Sequence, residues 1–321
     1  MERFLITGGS GFIGTNLIEV LLKTNVMVLN VDLAEPKLSE HCALWKQVDI
    51  RDTVQLRKVV NDFQPEYVIH LAARTDLKGK TLSEYDSNIY GVVSLMDALE
   101  YAQNLKRVVF ASSMYVCEPG YMPQSPDDYA PHTLYGKSKV ETERRIKERN
   151  PSYIWSIIRP TSIWGPWFGE PYYNFFRIVM KRMFFHMGNR ACKKTYGYVD
   201  NTVFQILTII KANKDVVNRK VFYLGDYEPY DITEWSNEIA SELGIWIPKL
   251  PYLFFVIIGW VGDFFQRYGI VFPMTSFRLH NMTTNNVQSL DLIKALAPNL
   301  PVSRKEGNKR TIEWIKMIEN K

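Results

Sequence analysis

A tyrosine and a lysine four positions apart, Tyr135 and Lys139, are the residues of this chain whose types and spacing best suit proton transfer. In a helix, positions i and i+4 lie side by side on one face. A neighbouring ammonium stabilises a phenolate, so the pair can bring a phenol of intrinsic pKa about 10 toward the neutral range. This is chemistry for oxidising an alcohol or reducing a ketone. The same spacing also fits a solvated helix face, so the surrounding elements must decide.

A glycine-rich segment near the N-terminus predicts the site of a redox cofactor. A short apolar run, Arg3 to Thr7, leads into Gly8-Gly-Ser-Gly11-Phe-Ile-Gly14 and then into an amphipathic stretch. Strand, glycine turn and helix together are typical of a dinucleotide site, because glycines let the backbone approach the pyrophosphate and the helix N-terminus donates free N–H groups. The predicted contacts are Gly8, Ser10, Gly11, Phe12, Ile13 and Gly14.

An acidic residue follows the second apolar run, Val26 to Val31. This residue, Asp32, lies 18 positions after Gly14, where an acid at the end of the second strand accepts hydrogen bonds from the adenosine ribose. Asp32 therefore favours NAD over NADP. Lys37 leaves NADP open, because one basic residue could assist a 2′-phosphate.

Five further motifs follow in order along the chain. They are Asp49-Ile50, His70-Leu-Ala-Ala73, Asn88 with Gly91, Val108-Val-Phe-Ala-Ser-Ser113 and Ile157-Ile-Arg-Pro160. With the glycine-rich segment and the Tyr135–Lys139 pair, they make the sequence similar to the extended short-chain dehydrogenase/reductases of the NAD-dependent epimerase/dehydratase family, which mostly act on nucleotide sugars. The resemblance implies an α/β fold, a Rossmann-type doubly wound parallel sheet with a smaller mixed α/β C-terminal substrate lobe.

The resemblance also implies a role for individual residues. Tyr135 is the implied general acid/base, Lys139 the residue that holds the nicotinamide ribose, and Ser113 the residue that aligns the substrate oxygen. Besides Tyr135 and Lys139, cofactor contacts outside the glycine-rich segment are expected at Asp32, Asp49, Ile50, Leu71, Ala72, Ala73, Asn88, Ser112 and Pro160. Substrate contacts are expected at Thr75, Ser113, Met114, Thr161, Arg177 and Tyr196.

The alternation of strand and helix patterns predicts how the chain divides. Residues 1–165 form the expected NAD-binding core, to which 197–225 return, and 166–196 with 226–321 form the expected substrate-binding lobe. Amphipathic helices are predicted at 52–63, 84–103 and 132–149. The start of the lobe is rich in aromatic residues and cations, which suits a nucleoside-diphosphate sugar, and the candidates for pairing with its diphosphate are Arg177, Arg182, Arg190, Lys193 and Lys194.

One apolar run, Pro251 to Val261, stands apart from the rest of the sequence. It falls short of the roughly 20 residues that span a bilayer, and Asp263 closes it. We therefore predict no membrane span, and instead a buried helix of the substrate lobe. The alternative is that residues 251–262 form a surface in peripheral contact with a membrane or a partner.

Composition agrees with a soluble enzyme that binds a small anionic ligand. The net charge of +5 comes without a long basic run, so no nucleic-acid partner is expected. Three cysteines, an odd number without metal-ligand spacing, predict no metal site and, with a strand that begins by residue 3, favour the cytoplasm. A homodimer is expected, because many members of the family pair through the helices that contain Asn88 and Tyr135.

Departures from the family pattern narrow the expected reaction. Met114-Tyr115 occupy the places of the Asp-Glu pair with which some members remove water, and this disfavours a 4,6-dehydratase. The sequence therefore predicts an NAD-dependent nucleotide-sugar epimerase or 4-ketoreductase, in the synthesis of surface-polysaccharide sugars. The alternative is an NAD(P)-dependent reductase of a steroid- or flavonoid-like alcohol or ketone, whose family branches share an apolar C-terminal region. A non-catalytic NAD-binding scaffold is the third class, disfavoured because Tyr135, Lys139 and Ser113 are all present.

Overall fold

The structure, a computed structural model, describes residues 1–188, 190, 192–270, 272 and 274–320. Its strands are β1 (Glu2–Thr7), β2 (Val26–Asp32), β3 (Trp45–Gln47), β4 (Tyr67–His70), β5 (Arg107–Ala111), β6 (Ile154–Pro160), β7 (Ser162–Trp164), β8 (His186–Met187), β9 (Lys193–Lys194), β10 (Tyr196–Tyr198), β11 (Lys220–Leu224), β12 (Tyr230–Asp231) and β13 (Lys249–Leu250). Its helices are α1 (Phe12–Leu21), α2 (Thr53–Phe63), α3 (Asp86–Leu99), α4 (Leu134–Arg149), α5 (Tyr172–Met180), α6 (Val199–Lys211), α7 (Lys214–Val217), α8 (Ile232–Ser241), α9 (Tyr252–Arg267), α10 (Ser276–Thr283), α11 (Asp291–Leu296) and α12 (Arg304–Glu319).

A parallel sheet of seven described strands, in the order β11-β6-β5-β4-β1-β2-β3, lies at the centre of the molecule. One face packs against α1, α6 and α11, and the other against α2, α3 and α4. Because both faces are covered, the central strands are nearly continuous apolar runs, as in β5, where all five residues are buried. The predicted doubly wound α/β fold is confirmed.

The strand order reverses at β1, which pairs with β2 on one side and β4 on the other. In doubly wound sheets a crevice opens at the carboxyl ends of the strands at such a point. The predicted helices flank it: 52–63 and 132–149 correspond to α2 and α4, while 84–103 begins as a 3-10 turn at Leu82–Tyr85 and ends earlier, with α3. Thr133 caps α4 by accepting a hydrogen bond from the backbone N–H of Gly136, which fixes where the helix with the proton-transfer pair starts.

The C-terminal part of the chain is organised around a cluster of aromatic side chains. Trp235 packs at its centre, with ring centroids 4.8 Å from Tyr196, 5.1 Å from Trp164 and 4.9 Å from Phe175. These rings bring α5, α8 and the segment around β10 together. The division into a cofactor core and a substrate lobe stays a prediction.

The apolar run after Pro251 forms α9, but the prediction that this helix is buried is wrong. Leu253 is 65% exposed and Trp260 is 64% exposed. The edge that packs carries glycine, and a Cβ added at Gly262 would lie 1.8 Å from the carbonyl oxygen of Met274. Close backbone contact along this edge leaves most of the large side chains outside, with Phe255 the buried exception. Nowhere in the described ranges is a helix both long and apolar enough to cross a membrane.

Candidate active site

A cleft of about 1150 Å³ opens along the carboxyl ends of the central strands. It is slightly larger than the range of roughly 300–1,000 Å³ typical of a site for one small ligand. Most of the predicted site residues line it, namely Gly8, Ser10, Gly11, Phe12, Ile13, Gly14, Asp32, Asp49, Ile50, Leu71, Ala72, Ala73, Thr75, Ser112, Ser113, Met114, Tyr135, Lys139, Pro160 and Thr161.

Three predicted residues lie elsewhere. Asn88 is buried behind the cleft wall, where its amide donates to the carbonyl oxygen of Arg74 at 3.0 Å and to the Ser138 hydroxyl at 2.9 Å. Arg177 pairs with a carboxylate near the C-terminus, with its Nε 2.6 Å from Oε1 of Glu319. Tyr196 is buried in the aromatic cluster of the C-terminal part. Asn88 therefore supports the cleft wall, and the structure does not bring Arg177 or Tyr196 to the cleft.

The glycine turn after β1 leaves room for a phosphate group. Gly8 has φ +75°, a backbone conformation that side chains with a Cβ rarely adopt. A Cβ at Gly14 would lie 2.3 Å from the Gly8 carbonyl oxygen, so the turn and the helix touch through backbone alone. α1 begins at Phe12 without a side-chain cap, and its first-turn N–H groups have no partner within the helix. These donors at the cleft suit a pyrophosphate.

Asp32 is held at the edge of the same turn. Its carboxylate accepts hydrogen bonds from the backbone N–H groups of Ser10 and Ala34, both at 3.0 Å. A carboxylate has about four lone-pair positions, so two remain for the hydroxyls of a ribose. Lys37, the residue that left NADP open, instead donates from Nζ to the carbonyl oxygen of Trp167 at 2.9 Å. The local contacts therefore fit NAD.

Tyr135 and Lys139 lie one turn apart on α4 and are nearly fully buried at the cleft, 7% and 3% exposed. Lys139 donates from Nζ to the Ala111 carbonyl oxygen at the end of β5, at 2.9 Å. Burial lowers the pKa of Lys139 to about 8, against a smaller opposing effect of Glu143. Burial raises the pKa of Tyr135 to about 12, and hydrogen bonding with Ser113 acts in the opposite direction. The sequence led us to expect a lowered tyrosine pKa, whereas in the protein alone burial outweighs the neighbouring groups.

Two aromatic residues near Tyr135 were not predicted as site residues. The Tyr115 ring lies 5.9 Å from the Tyr135 ring and stacks on His132 at 5.8 Å. Tyr172, from the start of α5, also lines the cleft. The position of Tyr115 directly after Met114, a predicted substrate contact, could have indicated that Tyr115 is a site residue. No sequence signal indicates Tyr172, which reaches the cleft through the packing of α5.

A buried ion pair ties α4 and β6 to the loop that precedes α4. Arg159 donates to both carboxylate oxygens of Glu143 at 2.8 Å, and both side chains are at most 1% exposed. Burial raises the pKa of Glu143, but Arg159, with smaller effects of Ser112 and Lys147, outweighs burial and the pKa is lowered overall. The same Arg159 donates to the carbonyl oxygen of Pro126 at 2.6 Å, and the Tyr129 hydroxyl donates to Glu143 at 2.9 Å. α4, β6 and the loop are therefore held as one unit.

Comparison with known proteins identifies relatives along almost the whole chain. A 3β-hydroxysteroid dehydrogenase/Δ5→4-isomerase of Mycobacterium tuberculosis is 27% identical over 296 residues, which cover 85% of this chain and 79% of the relative. An N-acetyl-α-D-glucosaminyl-diphospho-ditrans,octacis-undecaprenol 4-epimerase of Escherichia coli O157:H7 is 25% identical over 324 residues, covering 98% of this chain and 95% of the relative.

A solved structure shares the fold. The UDP-glucose 4-epimerase of Thermotoga maritima, crystallised with UDP-glucose, matches 99% of both chains with a TM-score of 0.75 at 21% identity. The model of the NAD dependent epimerase/dehydratase family matches residues 4–225, from the first strand of the sheet to the end of β11. Because this match spans every strand that borders the cleft, the chain belongs to the NAD-dependent epimerase/dehydratase family and is an enzyme whose cofactor is NAD.

Proposed function

We propose that the protein is an epimerase or 4-ketoreductase that transfers a hydride at a carbinol of a nucleoside-diphosphate sugar. The observation that carries this proposal is that Tyr135, Lys139 and Ser113 share one cleft with the glycine turn after β1. The cleft continues past the tyrosine to Tyr172 in the C-terminal part, which leaves room for a second ligand beside the dinucleotide. In this proposal residues 1–165 and 197–225 hold the cofactor, and 166–196 and 226–321 hold the sugar.

Bound NAD supplies the hydride acceptor, and the chain supplies the proton chemistry. With its pKa raised to about 12, Tyr135 holds a proton that it can donate to a carbonyl oxygen being reduced. In the opposite direction its oxygen must take up a hydroxyl proton, and the nearby ammonium and the Ser113 hydroxyl then stabilise the developing charge. The Lys139 ammonium has three donors, and the Ala111 carbonyl takes one, so two remain for a nicotinamide ribose.

The nature of the sugar carrier separates two versions of this proposal. The Escherichia coli O157:H7 relative is named for a sugar diphosphate attached to undecaprenol, a lipid. A nucleoside and a polyprenol can both follow the same sugar-diphosphate group, so both kinds of substrate belong in an assay. We favour a nucleoside-diphosphate sugar, with a role in surface-polysaccharide synthesis, and a homodimer that pairs through α3 and α4.

A steroid-like alcohol is the second candidate substrate. The Mycobacterium tuberculosis relative is named for steroid chemistry, and Tyr115, Phe168 and Tyr172 give the cleft an aromatic lining. Arg177, expected to pair with a diphosphate, does not reach the cleft, which removes one argument against an apolar substrate.

Nucleotide binding separates the two candidate substrates. Uridine or purine nucleotides should raise the unfolding temperature of the protein if its substrate is a nucleoside-diphosphate sugar, because a ligand bound by the native state stabilises it.

The residue roles are tested by replacing Tyr135 with phenylalanine. Tyr135→Phe should keep NAD binding and lower turnover by roughly 10²- to 10⁴-fold, the contribution expected of a general acid/base. Turnover is measured by nuclear magnetic resonance of the sugar products over a panel of nucleoside-diphosphate sugars. The matched control is Tyr101→Phe, a half-exposed tyrosine at the end of α3. Unchanged turnover in Tyr135→Phe would remove the tyrosine from the mechanism.

A further inference from the structure

The outer side of α9 carries an apolar face, which we call the α9 face. It consists of Leu253, Phe254, Ile257, Trp260 and Phe264, each between 47% and 65% exposed. Four of these, at positions 253, 257, 260 and 264, recur at the spacing of one helix stripe. None of the other described elements covers them, although contiguous exposed apolar patches mark interaction surfaces.

The α9 face is suited to lie on a bilayer. The helix has 16 residues and is therefore about 24 Å long, short of the roughly 30 Å of a hydrocarbon core. Its opposite edge is occupied, since Gly259 and Gly262 pack against the segment that begins α10. A helix with one apolar face and one face fixed to the protein can lie in the membrane interface with its large side chains in the acyl boundary.

The two chain segments nearest the α9 face carry mostly positive charge. Between Leu243 and Leu290 the sequence contains three Lys or Arg residues and one acid, Asp263. That carboxylate is used internally, accepting a hydrogen bond from the backbone N–H of Ser276 at 3.0 Å. The stretch from Pro171 to Val199 contains six Lys or Arg residues and no Asp or Glu.

The stretch from Pro171 to Val199 lies next to the start of α9. β8 and β13 pair, and the N–H of Gly188 donates to the Leu250 carbonyl oxygen at 2.9 Å. The Arg190 guanidinium lies over the Tyr252 ring at 3.8 Å from its centroid. Exposed Lys181 and Arg182 belong to the same stretch. Arg190, and Lys249 in the strand that precedes α9, therefore place cations beside the start of the α9 face, as a surface of anionic headgroups requires.

The helical hairpin of α9 and α10 also connects to the substrate end of the cleft. The Lys194 ammonium donates to the Asn281 carbonyl oxygen in α10. The backbone N–H of Asn286 donates to the Lys193 carbonyl oxygen at 3.0 Å, and its amide lies 3.9 Å from the sulfur of Met114, which lines the cleft. A bilayer in contact with the α9 face would therefore lie close to the substrate end of the cleft.

We propose that the α9 face docks the protein on a membrane surface with anionic headgroups. The apolar side chains enter the boundary of the acyl chains, and the exposed cations Lys181, Arg182, Arg190 and Lys249 contact the headgroups. A second copy of the chain fits the face less well, because pairing two such faces would bring like charges together. The docking does not depend on which reaction the cleft performs.

Sedimentation of the full-length protein with lipid vesicles tests the proposal. We expect binding to vesicles of phosphatidylcholine with one quarter phosphatidylglycerol, and weaker binding without phosphatidylglycerol or in 0.5 M salt. The double variant Ile257→Gln/Trp260→Ser should lower the partition coefficient about tenfold or more. The matched control is Leu292→Gln on α11, which removes a side chain that is 56% exposed. Arg182→Gln/Lys249→Gln should lower binding to anionic vesicles only, by roughly fivefold for each charge.

The fluorescence of Trp260 measures docking in the unaltered protein, in which the α9 face is intact. Vesicles with brominated acyl chains should quench the fluorescence of the unaltered protein more than that of Trp260→Phe. Each variant is accepted only if its thermal unfolding transition and NAD binding match those of the unaltered protein. The proposal is overturned if the protein stays in the supernatant with anionic vesicles or if the double variant binds equally. It is also overturned if that variant converts a dimer to a monomer in light scattering, which would assign the face to a second copy.

Discussion

Replacing Lys139 with methionine should stabilise the cofactor-free protein. The lysine is 3% exposed, and its ammonium donates to the Ala111 carbonyl oxygen at 2.9 Å. Burial lowers its pKa from 10.5 to about 8. At about 1.4 kcal/mol for each pKa unit, this corresponds to about 3 kcal/mol against the charged form. Methionine fills a similar volume without a charge, so removing the ammonium relieves most of this cost.

The stabilisation by Lys139→Met should depend on pH. Between pH 8 and 10.5 the unfolded chain binds the lysine proton more tightly than the native protein does, so the stability of the wild type rises with pH in this window. Below pH 8 the wild type carries the full burial cost. After about 1 kcal/mol for the lost hydrogen bond, the variant should gain about 2 kcal/mol at pH 7. This gain should shrink by about 2 kcal/mol at pH 9.5.

Urea unfolding at pH 7 and pH 9.5 measures both effects. Lys137→Met is the matched control, because this lysine is on the same helix and exposed. The control should change the free energy of unfolding by less than about 0.5 kcal/mol at either pH. An effect of Lys139→Met that is the same at both pH values would refute the reasoning, since it would show that the buried ammonium does not titrate below its ordinary range.

Three further changes have expected outcomes. His70 is buried, and burial with the nearby Lys139 lowers its pKa to about 3, so stability should fall as pH drops below 6.5, by about 1.4 kcal/mol for each pH unit. His70→Asn should remove this slope in urea unfolding between pH 6.5 and 5. Gly14→Ala places a Cβ 2.3 Å from a carbonyl oxygen of the turn, and calorimetry should show at least about tenfold weaker NAD binding. Glu143→Gln leaves the Arg159 charge buried without its carboxylate and should lower the free energy of unfolding by about 3–5 kcal/mol, whereas an unchanged urea midpoint would contradict the burial of this pair.

The sequence predicted the cofactor side of the cleft because local backbone geometry determines it. The turn at Gly8, the helix that starts after Gly11 and the acid at the end of β2 are fixed by spacing within about 30 residues. The i and i+4 positions of Tyr135 and Lys139 are equally local. Parallel strands then bring these segments to one edge of the sheet, so spacing alone was sufficient to place them.

The substrate side could not be predicted in the same way. Whether Arg177 and Tyr196 face the cleft depends on how α5 and β10 pack against the aromatic cluster, and spacing does not contain that information. The pKa of Tyr135 was expected to fall because its charged neighbour is visible in the sequence, whereas its burial is not. For α9, hydropathy correctly predicted a helix but wrongly predicted that it is buried. The signal for exposure was the pair Gly259 and Gly262, which marks the packed edge and leaves most of the large residues on the outer side.

Native mass spectrometry of the freshly purified protein, with absorbance at the wavelength of reduced nicotinamide, tests the central claim most directly. We predict that the cleft binds NAD, either retained from purification or added. Adding nucleoside-diphosphate sugars should then reduce the cofactor transiently in an epimerase, while a ketoreductase should consume NADH in proportion to a keto-sugar. A protein that binds no dinucleotide under any of these conditions would contradict the account of the cleft, of Tyr135 and of the glycine turn together.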